Sequence, residues 1–194
     1  MFTKDEYYQE TFKQLLAKET FSSIEFDRCT FSQCDLSDTV FTHCKFIDCE
    51  FIGCNLNSIQ FSFSKLTDVN FKDCKLMGVD WTLVAWPNLS ISSPVSFDSC
   101  LLSHGSFYGL ELSELSMQHC KTHEVDFREC NLRQANLNFT DFSYSQFNRT
   151  DLTEADLEDA FHYSIDVFNN KIKGAKFSRE EALSLLDSLD IELI

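Results

Sequence analysis

Cys44-Lys45-Phe46-Ile47-Asp48-Cys49-Glu50-Phe51-Ile52-Gly53-Cys54-Asn55-Leu56 repeats one small, one polar and one large apolar residue, then two that vary, and returns every five positions. Followed outward, the frame of Phe46 takes in Phe21, Phe26, Phe31, Leu36, Phe41, Phe51, Leu56, Phe61, Leu66, Phe71, Leu76, Trp81, Trp86 and Ile91 without a break. It slips by one residue around Ser92, Ser93 and Pro94. It then resumes at Phe97, Leu102, Phe107, Leu112, Met117, Thr122, Phe127, Leu132, Leu137, Phe142, Phe147, Leu152 and Leu157, and Val167, Ile172 and Phe177 complete it. Thr122 and His162 interrupt this second run; both are expected in one column, on either side of Phe142. Two residues before each central position lies a second, smaller set, and all nine cysteines fall on that phase. Inward residues at both i and i−2 with a strict return every five fit neither the helical period of 3.6 nor the strand period of 2. A chain that turns a corner every five residues accommodates them.

The pattern Ala/Cys-Asp/Asn-Leu/Phe-X-X, plain in Cys34-Asp35-Leu36, Ala135-Asn136-Leu137 and Ala155-Asp156-Leu157, resembles the pentapeptide-repeat proteins over about residues 21–177. The resemblance implies an all-β solenoid, a right-handed quadrilateral β-helix with four pentapeptides to each twenty-residue coil. Like residues twenty apart, such as Leu36, Leu56 and Leu76 or Phe107, Phe127 and Phe147, then stack at the strand spacing of ~4.8 Å and bury a core that no single repeat could bury. Nearly eight coils give a rod on the order of 37 Å long.

A rod has two raw ends. Residues 1–18 are expected to form an N-terminal helical cap, with Thr3 and Glu6 spaced as a capping box and Tyr8, Phe12, Leu15 and Leu16 for its apolar face. Residues 19–177 form the β-helix, with the frame slip near 92–96. Residues 178–194 are expected to supply a second helical cap opened by Ser178 and Glu181. It ends in an apolar tail, and Leu183, Leu186, Leu189, Ile191 and Leu193 would make a homodimer interface.

Composition narrows the chemistry. Among 194 residues, 31 are acidic and 16 are Lys or Arg, a net charge of −15 that argues against direct binding of nucleic acid. The N-terminus lacks a basic, then apolar, leader, and no run approaches eighteen apolar residues, so the chain is expected to be cytoplasmic and away from membranes. No Cys-x-x-Cys occurs, and the dominant Cys-x-x-x-x-Cys spacing follows from the repeat, which predicts core thiols and no metal. His43, His104, His119 and His123 are expected to face solvent. Neither a phosphate-binding glycine loop nor a nucleophile elbow occurs, so no catalytic residue and no cofactor is predicted.

The remaining signal is acidity. Glu19 to Phe177 carries −11, the segment from Ser178 adds −4, and the first eighteen residues add nothing. Glu111, Glu114, Asp151 and Glu154 are expected on one face, with Asp156, Glu158 and Asp159 close by, as a partner-binding acidic surface. The chain is similar in size, uninterrupted coils and ending to family members that mimic B-DNA and bind DNA gyrase or topoisomerase IV. Among these are Qnr-type quinolone-resistance proteins and immunity proteins against gyrase poisons; the stretch from Gly78 to Phe97 resembles the microcin-immunity branch. The resemblance implies a non-enzymatic DNA mimic that protects or modulates a topoisomerase. The alternative is a structural or adaptor rod whose acidity serves solubility. Charge of −11 over ~37 Å is one per ~3.4 Å, about half the linear density of duplex DNA.

Overall fold

The computed structural model describes residues 2–87, 93–189 and 191, and through them the chain winds as a parallel β-solenoid of about eight turns. Each residue pairs with its counterpart one coil away, Phe21 opposite Phe41, Phe26 opposite Phe46 and Phe31 opposite Phe51. Four walls result. The Phe26 wall stacks Glu6–Tyr8, Glu25–Asp27, Lys45–Ile47 and Lys65–Thr67, and later Glu111, Asn131, Asp151 and Lys171. The Phe31 wall stacks six strands from Thr11–Lys13 to Ser116–Gln118, then Asn136, Asp156–Leu157 and Lys176–Phe177. The Leu36 wall is a run of single bridges through Asp35, Asn55, Lys75, Leu101, Lys121, Asp141 and Phe161. The Phe41 wall runs from Thr20–Ser22 and Val40–Thr42 through Gln60, and then from Asp80 through Ser106 and Asp126 to Gln146.

Inside, the large residues form continuous ladders. Phe21, Phe41, Phe61, Trp81, Phe107, Phe127 and Phe147 stack ring on ring with centroids 5.3–6.1 Å apart. Neighbouring walls meet edge to face, as at Phe41 and Phe46, with centroids 5.2 Å apart and planes at 89°. Both arrangements suit the ring quadrupole.

The small column does more than fill space. The Sγ atoms of Cys49, Cys54 and Cys74 donate to the carbonyls of Phe26, Phe31 and Phe51, each at 3.3 Å. Ser64 Oγ donates to Phe41 O at 3.0 Å, Thr140 Oγ1 to Met117 O at 2.9 Å and Thr150 Oγ1 to Phe127 O at 2.8 Å. Cysteine, serine and threonine thus share this phase because each is small and carries one donor for a carbonyl of the coil before.

Most described corners bend through a left-handed residue two places after the central one. Among the described residues twenty-five that are not glycine have this backbone, among them Arg28 (φ 53°), Asp68 (52°), Phe139 (58°) and Tyr144 (60°). The strain is tolerated because the walls on both sides fix the bend.

Four expectations are corrected. Residues 1–18 do not make a helix: Glu6–Tyr8 and Thr11–Lys13 are strands paired with Glu25–Asp27 and Thr30–Ser32. Tyr7, Phe12 and Ala17 are five apart and inward, but the step from Ala17 to Phe21 is four, which hides them from the main frame. In place of the capping box, Thr3 N and Lys4 N donate to the Tyr7 hydroxyl at 2.6 and 3.0 Å. The raw end is closed by Phe2, whose ring centroid lies 4.8 Å from Phe21, 5.1 Å from Phe26 and 5.3 Å from Phe12.

Secondly, the slip near Pro94 is larger in space than in phase. Phe71 pairs with Phe97, Lys75 with Leu101 and Asp80 with Ser106, so this coil has six residues more than its neighbours. Six is one repeat plus one, which a five-residue frame registers as one. Trp86, counted as central, is half-buried with Nε1 donating to Trp81 O at 2.8 Å; Ile91 falls outside the described residues.

Thirdly, Thr122 is buried as expected in its column, whereas His162 points outward at a corner of φ 57°. Phe147 bridges Ile165, eighteen residues on, so Tyr163 and Ile165 take the core positions that the frame gave to His162 and Val167.

At the far end a 3-10 helix spans Glu181–Leu189. Here too the capping box is not made, the fourth correction. Ser178 Oγ accepts from Asp159 N at 2.7 Å and Glu181 Oε2 accepts from His162 N at 3.0 Å, which ties the helix to the last coil.

Candidate protein-binding surface

The solenoid presents its i−1, i+1 and i+2 side chains as outward columns, so each wall is a flat lattice of side chains one coil apart. Glu111, Glu114, Asp151 and Glu154 share the second half of the Phe26 wall, as expected: Glu111, Asn131, Asp151 and Lys171 form one column by direct pairing. Glu114, Gln134 and Glu154 occupy its left-handed corner at φ 60°, 56° and 60°. Asp156, Glu158 and Asp159 lie around that corner on the Phe31 wall.

Acid on these walls is laced with donors. Asn131 Nδ2 donates to Glu111 Oε2 at 2.7 Å and Gln134 Nε2 to Glu154 Oε2 at 2.9 Å. Asp151 lies 3.1 Å from Lys171 Nζ and 3.7 Å from Arg133, and Asp156 lies 2.7 Å from Lys176 Nζ. Burial opposes ionisation of Asp151 and Asp156, yet the surrounding N–H, hydroxyl and ammonium donors hold both below the ordinary carboxylate range. Asp159 shares Ser178 Oγ with its own backbone. The outward-aimed carboxylates of this group are Glu114 and Glu158, both exposed.

The Leu36 wall holds a constellation that periodicity alone did not single out. Asp141, with a side chain 13% exposed, receives Ser143 Oγ at 2.6 Å and Ser143 N at 3.1 Å on Oδ1. His123 Nε2 lies 2.7 Å from its Oδ2, and His162 Nδ1 lies 3.1 Å from its Oδ1. Burial would raise this carboxyl, but the donors outweigh it and bring the pKa down to about 2. From the sequence His123 is expected to face solvent and His162 only to interrupt the frame; their separation of 39 residues is two coils less one, which aligns both with Asp141. Serine, histidine and aspartate meet here: Ser143 Oγ donates to Asp141 Oδ1 and also lies 3.1 Å from His162 Nδ1.

The nine cysteines are buried and unpaired. Burial pushes the Cys49 thiol up to about 12, and neighbouring thiols together with burial do the same at Cys74 and Cys100, so these sulfurs stay protonated. Among the described residues no group of three or more His, Cys, Asp or Glu side chains is arranged to hold a metal ion. No helix among them is long and apolar enough to cross a membrane.

At the C-terminal end Leu183, Leu189 and Ile191 are 55%, 40% and 53% exposed. Leu186 is half-buried, and Leu193 lies outside the described residues. Leu185, not singled out from the sequence, packs against the core.

The family described as "Pentapeptide repeat region" matches residues 24–93 and 83–157, which together span more than half of the chain. Comparison with curated protein sequences gives no match. Among solved structures, a trypsin-treated form of QnrB1, a plasmid-mediated fluoroquinolone resistance protein, superposes with a TM-score of 0.64 at 18% identity, covering 97% of each chain. HetL, a pentapeptide repeat protein involved in heterocyst differentiation regulation from the cyanobacterium Nostoc, gives a TM-score of 0.52 at 16% identity, over 89% of this chain and 87% of its own. At such identities the likeness is one of fold.

Proposed function

This chain belongs to the pentapeptide-repeat family, and on that premise we propose that it is a non-enzymatic binding rod whose carboxylates enter a basic, DNA-binding groove of another protein. The proposed partner is DNA gyrase or topoisomerase IV, which the rod would modulate or protect from quinolones or peptide toxins. The observation that carries the reading is the combination of about eight flat-walled turns with a net charge of −15, most of its large apolar ladder turned inward. Such a rod offers a partner flat walls and charge, with exposed aromatic rings set among them. Its linear charge density, about half that of duplex DNA, makes binding salt-sensitive.

The exposed Leu183, Leu189 and Ile191 support a second copy docking at the C-terminal end, where Leu186 and Leu193 would join the interface. Light scattering of the full chain against a chain ending at Phe177 tests this, and a monomeric full chain at micromolar concentration rejects it.

Gyrase supercoiling with and without a quinolone or a microcin tests the main reading. Added protein should inhibit supercoiling or reduce drug-stabilised cleavage at low salt, and the absence of both effects and of binding overturns the proposal. A second reading is favoured by one observation: two acids of the Phe26 and Phe31 walls, Asp151 and Asp156, are held by Lys171, Arg133 and Lys176. An adaptor rod, with acidity serving solubility, would bind a partner with affinity that barely falls as salt rises.

A further inference from the structure

The exposed aromatic rings follow a rule. Arg28 Cζ lies 5.6 Å above the Tyr8 ring, and Arg128 Cζ 5.6 Å above the Tyr108 ring. His43 stacks on Phe63 at 5.4 Å, and His119 on Phe139 at 4.7 Å with planes 9° apart. At Tyr108, Phe63 and Phe139 the covering group stands at the equivalent place of an adjoining coil, twenty residues away, and at Tyr8 it stands one place beyond, next to the paired Asp27.

Tyr144 departs from the rule. It is 83% exposed and, among the described residues, carries neither a cation nor a ring over its face. Its equivalent in the preceding coil is Glu124, held adjacent by Glu124 N donating to Ser143 O at 3.0 Å. Glu124 has a side chain 62% exposed and, among the described residues, its one ion-pair contact is with His104 at 3.5 Å. Ser143, His162 and Ser164 join Tyr144 around an open depression of about 410 Å³. Phe168 is also uncovered, but the carboxylate beside it, Asp166, is taken by Phe168 N at 2.8 Å and by Asn169 Nδ2.

At Tyr108 the arrangement is complete: ring, guanidinium, and the Asp126 carboxylate that grips Arg128 at 2.9 and 2.7 Å. At Tyr144 the ring and the carboxylate are present and the cation is missing. We infer that Tyr144 and Glu124 form a receptor for an arginine side chain of a basic partner protein. The guanidinium lies flat on the tyrosine and donates to Glu124 and to the serine hydroxyls. Planarity and a weak hydration shell favour arginine over lysine at such a place. The inference rests on the proposed binding of a basic partner and names one anchor on it, on the Leu36 wall, away from Glu114 and Glu158.

The test is titration of the full chain at low salt with fluorescein-labelled nona-arginine and nona-lysine peptides. Nona-arginine should bind more tightly. Tyr144→Ala should weaken nona-arginine by about two- to five-fold and nona-lysine by less, while Tyr144→Phe keeps the preference. Glu124→Gln should weaken nona-arginine, and Glu114→Gln should weaken both peptides alike. Because Tyr144 is a surface residue, thermal melts of its variants should match the parent. Equal affinity of the parent for the two peptides, no change on Tyr144→Ala, or equal loss for both peptides overturns the inference. If Tyr144→Ala abolishes the arginine preference while gyrase is unbound by the parent, the anchor stands and the topoisomerase reading falls. If gyrase binds the parent and the arginine preference is absent, the reverse holds.

Discussion

Gly105 lies beneath Trp81: a Cβ at Gly105 would stand 4.0 Å from the indole Nε1, and 3.0 and 3.1 Å from the carbonyl oxygens of Val79 and Leu102. Two of those neighbours are backbone and cannot turn aside. Gly105→Ala should therefore destabilise the protein by about 1–3 kcal/mol through overpacking. Urea titration followed by tryptophan fluorescence measures it, and a loss below the error of the fit refutes the close approach.

Phe2 closes the first coil, and without it the rings of Phe12, Phe21 and Phe26 would meet water. Because Phe2 is only half-buried, Phe2→Ala should cost about 1–2 kcal/mol, well short of a fully buried phenylalanine. Hydrogen exchange should quicken most in Glu6–Tyr8 and Thr11–Lys13. Uniform quickening along the rod would show that the end is not a local cap.

Asp141 makes stability depend on acid. Its folded pKa of about 2 lies below the ordinary 3.8, so its contribution is complete above about pH 4 and fades as pH falls toward 2. The shift corresponds to about 2 kcal/mol. Asp141→Asn should be less stable by this order at pH 5 and should lose less than the parent between pH 5 and pH 2. Parallel stability curves for the two proteins would rule the linkage out.

Ser58 and Gly78 occupy the same corner of successive coils at φ 55° and 70°. Serine carries a strain there that glycine does not, against a larger entropy loss on folding. Ser58→Gly should be neutral or stabilising, by up to about 1 kcal/mol, unlike glycine substitutions in ordinary strands. Thermal melting decides the sign.

The inward ladder could be read from sequence because a large residue every fifth place is a condition of the coil itself. What hid was each place where the step changed. The four-residue step from Ala17 to Phe21 concealed a whole β-coil behind an apparent helix. The six extra residues between Phe71 and Phe97 passed for one. His162 kept the frame in number but not in space, because the chain shortens by two before Ile165. The grouping of Glu111 with Asp151 was legible, since outward columns follow from the same count. Their partners Asn131, Lys171 and Arg133 were present in the sequence too, but which donor reaches which acid depends on side-chain reach. The Asp141 cluster, spread over three coils, and the bare ring of Tyr144 emerge only when neighbours are compared across the wall.

The coil that holds six more residues than its neighbours leaves Phe71 and Phe97 in register all the same. Stacking continues across the longer coil, so the scaffold accommodates a change of coil length at that point. Whole coils, by contrast, can be added or removed only in blocks of about twenty residues, each changing the rod's reach by ~4.8 Å. The molecule is in this sense a graduated gauge, whose footprint on any partner can be adjusted by discrete increments without redrawing its sides.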